Sequence, residues 1–121
     1  MKYVQVTKDL MREKFLVFNE KFFEGKLAVP NFLYLSGRTG LVGKYRNWGK
    51  GPTIAINRAY HFYEQDFDDI LVHEMIHYYI DSVLKKDPFF SHGILFRKIR
   101  KRICEQGLEI HIHYVHICER P

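Results

Sequence analysis

Residues 72–77 read Val-His-Glu-Met-Ile-His, an H-E-x-x-H inside a segment whose end signals mark a helix from about Asp66 to about Lys85. Asp66, Asp68 and Asp69 sit where acidic groups favour a helix amino end, Lys85 and Lys86 lie at the other end, and Pro88 prevents continuation. On a helix, residues four apart share a face one turn apart, so the imidazoles of His73 and His77 reach a single ion together. Neutral imidazole nitrogens suit Zn²⁺ at roughly 2.0–2.1 Å. Glu74, beside His73, projects towards an open coordination position, where a carboxylate accepts a proton from activated water and later delivers it to a leaving amine. These constraints lead to one expected Zn²⁺ ion with Glu74 as general base.

A catalytic zinc site usually takes three protein ligands and keeps the fourth position for water. A glycine and a third histidine soon after His77 would complete one common arrangement, but residues 78–83 supply neither. A later glutamate would complete another, yet Glu105 lies far down the next predicted helix. His92 is better placed. After His77 the helix carries the chain roughly 12 Å away at 1.5 Å per residue, and a connector over residues 86–91 spans about 20 Å when extended. That suffices to return His92 to the ion from the first turn of an antiparallel third helix, with Gly93 removing bulk beside it. Asp81, one turn beyond His77, is a rival: a third ligand, or an acceptor that orients an imidazole. His111, His113 and His116 fall on a predicted tail strand, where a solvated strand edge accounts for His111 and His113.

The rest of the chain supplies a scaffold. Leu10, Met11, Phe15, Phe18 and Phe22 recur at helical spacing between Thr7, an N-cap, and Gly25, a stop. Three short β-rich stretches follow, at 32–36, 41–45 and 53–57, separated by turn formers. Their short connections predict a three-stranded antiparallel sheet. A third helix is expected from Ser91 as N-cap to about Glu105, with Leu95, Phe96, Ile99 and Ile103 inward and Gly107 as its stop. The alternating segment 109–114 predicts a short final strand. The expected class is α+β, with one domain over residues 1–121. Apolar residues make up 46% of the chain, enough to build a core and to argue against disorder. No apolar run approaches the roughly 20 residues that cross a bilayer, and the amino end lacks a secretory h-region, so a cytoplasmic location is expected. Cys104 and Cys118 form no Cys-x-x-Cys pair and read as ordinary thiols.

With His92-Gly93-Ile94-Leu95-Phe96 placed after His73-Glu74-Met75-Ile76-His77, the chain resembles the SprT-like family of zinc metallopeptidases. That family pairs H-E-x-x-H with a later His-Gly and a following aromatic. Residues 18–27, Phe-Asn-Glu-Lys-Phe-Phe-Glu-Gly-Lys-Leu, resemble its first-helix signature, and the segment 110–114 has the expected place at the end. The resemblance implies a minimal zincin-like domain that hydrolyses peptide bonds, with His73, His77 and His92 as ligands and Glu74 as base. A eukaryotic member cleaves proteins crosslinked to DNA, which implies DNA-bound protein as a substrate class. Many members carry a carboxy-terminal zinc ribbon or DNA-binding extension; none follows within these 121 residues, so the expected form is the minimal one.

Net charge is +5, and Arg97, Lys98, Arg100, Lys101 and Arg102 crowd six positions of the third helix. Two readings stand for this run: a phosphate-contacting surface near the site, or a solvated face with favourable charge near a helix carboxyl end. The leading function is therefore a zinc peptidase acting on polypeptide. An edge strand, Thr53 to Asn57, would align the substrate, and an oxyanion donor would come from Tyr45, Tyr60, Tyr63 or Tyr78. The alternative is a nucleic-acid- or partner-binding module that retains a zinc site without protease activity. No membrane partner is expected.

Overall fold

Phe15, Phe18, Phe22 and Phe23 line one side of the first helix, α1 (Lys8–Phe23), and are buried in the core of a computed structural model that describes residues 2–37, 40–47, 49–86, 93–112 and 118–119. The Thr7 hydroxyl caps α1 by accepting the Leu10 N–H at 3.0 Å. At the other end Glu24 and Gly25 both take left-handed backbone (φ 55° and 67°), and the Gly25 N–H returns to the Asn19 carbonyl. Asn19 itself is buried. Its amide donates to the Leu27 carbonyl at 2.8 Å while its oxygen accepts the Leu27 N–H at 3.1 Å. One side chain thereby satisfies both backbone groups of Leu27 and sets the direction of the chain as it leaves α1.

Three strands follow, β1 (Asn31–Leu35), β2 (Gly43–Asn47) and β3 (Pro52–Asn57), then a short β4 (Tyr60–His61). The sheet order is β1-β3-β2, with β3 antiparallel to β2 but parallel to β1. The expectation of an all-antiparallel sheet is thus corrected to a mixed one. Burial gives the reason. Ile54, Ala55, Ile56 and Asn57 are buried consecutively, as a strand covered on both faces must be, whereas β1 is more exposed and mostly alternates and β2 alternates along most of its length. The most continuously apolar strand takes the centre, so β3 lies between β1 and β2 despite their order in the chain.

The second helix, α2 (Glu64–Ser82), packs on β2, β3, α1 and the third helix, α3 (Ile94–Glu105). Lys14 joins α1 to its first turns, 2.9 Å from Asp68 and 3.5 Å from Glu64. α3 starts later than predicted. Gly93 is its N-cap and Ile94 its first residue, while Ser91, proposed as that cap, lies outside the described residues. Phe96, Ile99 and Ile103 face inward, whereas Leu95, expected beside them, is 38% exposed, and Gly107 ends the turn beyond with φ 106°. The tail strand expected over 109–114 is absent from residues 109–112, and 113 and 114 lie outside the described residues. A strand does form at β5 (Cys118–Glu119), antiparallel to β4. The described chain is thus an α+β fold of three helices and a small mixed sheet, in which no helix is long and apolar enough to cross a membrane.

The Asn19 bracket predicts that Asn19→Ala destabilises by about 2–4 kcal/mol, since it strands a buried N–H and a buried carbonyl. Thermal unfolding followed by circular dichroism should drop by roughly 10 °C. Asn19→Asp, nearly the same shape, should fall almost as far, because a second oxygen would then face the Leu27 carbonyl.

Candidate functional site

Asp69, His73, His77 and Asp81 recur every fourth residue of α2, a stripe that drifts by about 40° per step around the helix. It crosses an element whose other middle residues, Ile70, Leu71, Val72, Met75 and Ile76, are fully buried. The polar groups are enclosed with them: Asp69 is 2% exposed, His73 4%, Glu74 5% and His77 9%. Groups buried to this degree require partners.

The rings of His73 and His77 lie 5.1 Å apart, centroid to centroid, and Phe96 of α3 packs against both, at 4.8 and 4.9 Å. The His73 Nδ1 is 2.9 Å from the His111 carbonyl. A carbonyl only accepts, so the proton must sit on Nδ1 and the lone pair on Nε2, the nitrogen left for a metal. The two rings are neighbours, and neutral imidazole nitrogens are donors of the kind Zn²⁺ takes. In donor chemistry these residues fit zinc. Among the described residues no group of three or more His, Cys, Asp or Glu side chains is arranged to hold an ion, and His92, the expected third ligand, lies outside them.

Glu74 points at the sheet. A Cβ built on Gly43 would come within 2.8 Å of the Ile70 methyl Cγ2 and 3.3 Å of Glu74 Oε2, so only glycine lets β2 approach α2 this closely. The Tyr45 backbone N–H donates to the Glu74 carboxylate. This is consistent with the ladder. Asn57 N–H donates to the Val42 carbonyl at 2.9 Å, so the next paired residues are Lys44 and Ala55, and the backbone groups of Gly43 and Tyr45 turn away from β3. β2 and not Thr53–Asn57 is therefore the edge beside the site; β3 is interior and has no free side. Burial pushes the Glu74 carboxyl up to about 8, against the smaller opposing pull of the Tyr45 N–H and of Lys44.

Other expected participants are engaged elsewhere. Asp81 accepts the Tyr45 hydroxyl at 2.6 Å and the Asn47 amide at 3.4 Å. Tyr45 is raised above the usual phenol range by burial and by Asp81. The Tyr78 hydroxyl donates to the Ala28 carbonyl at 2.8 Å, the Tyr60 hydroxyl accepts the Gly40 N–H at 3.0 Å, and Tyr63 stacks on Tyr3 at 4.7 Å. In the basic run, Arg100 Nε donates to the Ile110 carbonyl and Arg102 to the Phe22 carbonyl at 2.7 Å, so those two support the fold. Arg97, Lys98 and Lys101 are exposed on one face. A cleft of about 260 Å³ between residues 3–6 and Arg58, Tyr60 and His61 contains none of the α2 histidines.

Three contributors were missed: Asp69, His111 and Gly43. His111, read as a solvated strand residue, is held by Asp69, whose Oδ1 accepts the His111 N–H at 2.9 Å and whose Oδ2 lies 2.5 Å from its Nδ1. The available signal was Asp69 standing one turn before His73 on the same face.

Glu74 makes metal-free stability depend on pH with a definite sign. Its folded pKa of about 8 exceeds the ordinary 4.5, so folding favours the protonated carboxyl; stability is greatest below 4.5 and falls as pH rises through 8. In chelator, thermal melts of Glu74→Gln should match wild type near pH 5 and exceed it by several degrees near pH 9. Parallel pH profiles for the two proteins would contradict this burial.

No curated protein matches the chain. The model of the SprT-like family matches residues 11–116, from the first turn of α1 through α2 to the tail, and the chain belongs to the SprT-like family.

Proposed function

We propose that the protein is a zinc-dependent peptidase in which His73, His77 and His92 hold one Zn²⁺ and Glu74 is the general base. The observation that carries this reading is the His73 Nδ1–H bond to the His111 carbonyl, which commits Nε2 as a donor on the ring neighbouring His77. Gly93, covalently next to His92, caps the helix whose Phe96 touches both rings, and this supports His92 as the third ligand. When bound, the ion supplies Lewis-acid polarisation of a peptide carbonyl and makes water acidic enough to attack near neutral pH. Relative to its metal-free state, Glu74 is shifted towards the ionised form by the ion's charge, and that carboxylate, held in place by the Tyr45 N–H, takes the proton from the attacking water and passes it to the leaving amine. Phe96 and the apolar wall of α2 exclude bulk water from the histidines. The outward carbonyls of Gly43 and Tyr45 supply an edge on which an extended polypeptide aligns by strand addition.

A second reading, binding of DNA or DNA-bound protein, is favoured by the exposed face of Arg97, Lys98 and Lys101 together with the net charge of +5. With Arg100 and Arg102 held by carbonyls, this face engages at most about three phosphates, so log K should fall against log salt with a slope no steeper than about −3.

The test couples metal analysis to casein or histone cleavage. Wild type should carry one zinc and cleave; Glu74→Gln should keep the zinc and lose about 10²-fold or more of the rate; His92→Ala should lose the metal. Undiminished cleavage by Glu74→Gln would remove Glu74 from its role. A zinc-bearing wild type that cleaves nothing yet binds DNA with that salt slope would move the assignment to the binding module.

A further inference from the structure

We propose that Asp69 and His111 are positioning residues: the buried Asp69 carboxylate grips His111 so that its backbone carbonyl fixes the ring and the tautomer of His73. Asp69 lies one turn before His73 on α2 and is almost fully enclosed. Its two oxygens divide between the backbone N–H of His111, at 2.9 Å, and the imidazole Nδ1 of the same residue, at 2.5 Å. The His111 carbonyl then takes the His73 Nδ1–H at 2.9 Å. Residue 111 is thus held at its N–H, its side chain and its carbonyl by two side chains of a single helix, and its other ring nitrogen faces Glu109 at 3.4 Å. The residue before it is anchored as well. Ile110 is fully buried, and its carbonyl accepts from Arg100 Nε.

A strap whose only task was to pin the tail would not require this polarity. Burying a carboxylate costs free energy that an apolar contact would avoid. The arrangement presents an obligate acceptor, a carbonyl, to one nitrogen of an imidazole whose other nitrogen must keep its lone pair. Which nitrogen of a histidine binds a metal is set by the hydrogen bond at the other, and partners of that kind typically govern metal affinity by about 10- to 100-fold. Asp69 touches neither substrate nor ion; it acts through His111. The link to zinc rests on the peptidase reading above, whereas the tautomer of His73 does not.

The experiment uses the full chain and two readouts. In metal-free, ¹⁵N-labelled protein, two-bond imidazole correlations should show His73 protonated at Nδ1, and Asp69→Ala should convert it to a mixture while His77 is unchanged. Zinc affinity by chelator competition should fall about 10- to 100-fold in Asp69→Ala, and Asp69→Asn, whose amide oxygen still accepts the His111 N–H, should recover part of it. A purely structural role predicts a lower Tm with the His73 tautomer and zinc affinity of wild type, and that result overturns the proposal. If Asp69→Ala does not fold, His111→Ala and Asp69→Asn decide. A loosened His73 tautomer with weaker zinc binding in His111→Ala sustains the proposal, and wild-type values in both variants end it. A wild type that takes up no zinc would overturn the peptidase reading, leaving the strap to be judged on the tautomer alone.

Discussion

The middle of α2 has no face turned to solvent. Ile70, Leu71, Val72, Met75 and Ile76 are fully buried, and Asp69, His73, Glu74 and His77 are buried among them. An enclosed polar group without a partner costs about 1–3 kcal/mol, and more when charged, so these four side chains oblige the neighbouring elements to present donors and acceptors at particular places. His111 answers Asp69 and His73, and the edge backbone of β2 answers Glu74. The positions of the tail and of β2 against the helix follow from that requirement as much as from apolar packing.

The same requirement explains the closeness of β2. For the Tyr45 N–H to reach a carboxylate on α2, the strand must lie nearer than side-chain packing ordinarily allows, and Gly43 supplies the space against Ile70 and Glu74. The Tyr45 side chain also stacks on Tyr78 at 5.2 Å and donates to Asp81, and Asn47 reaches the same carboxylate, so the strand is fixed to α2 from its middle to its far end. β2 keeps an outward backbone edge only because β3 occupies the centre of the sheet. A meander with β2 in the middle would have given that edge to another strand, away from Glu74.

What was legible in the sequence was local. The Thr7 cap, the stop after Phe23, Asp66 in the first turn of α2 and the inward Phe96, Ile99 and Ile103, though not Leu95 beside them or Asp69 as a helix-start charge, depend on neighbours within a few residues, and the structure bears them out. The i, i+4 relation of His73 and His77 is of the same kind. Strand order is not. Short connections say which strands are consecutive, while which one is central depends on burial of both faces, visible only in the unbroken run Ile54-Ala55-Ile56. The alternation misled over residues 109–112 for a related reason: at His111 the backbone N–H and carbonyl are taken by side chains of α2, leaving no ladder to join. Nothing near residue 111 announces a carboxylate forty-two positions earlier.

The basic run illustrates how composition overstates surface chemistry. Five cations in six helical positions cannot share a face, and the fold uses two of them: Arg102 reaches the Phe22 carbonyl in the last turn of α1, where unpaired carbonyls favour positive charge, and Arg100 holds Ile110. Those two contacts tie α3 to α1 and to the tail, and the tail carries the carbonyl that orients His73. Part of what looks like a nucleic-acid signal is therefore support for the candidate site. Since Arg100 works through Ile110 and its neighbour, neutralising the whole run would disturb His73 along with any phosphate contact, and changes confined to the exposed Lys98 and Lys101 separate the two roles.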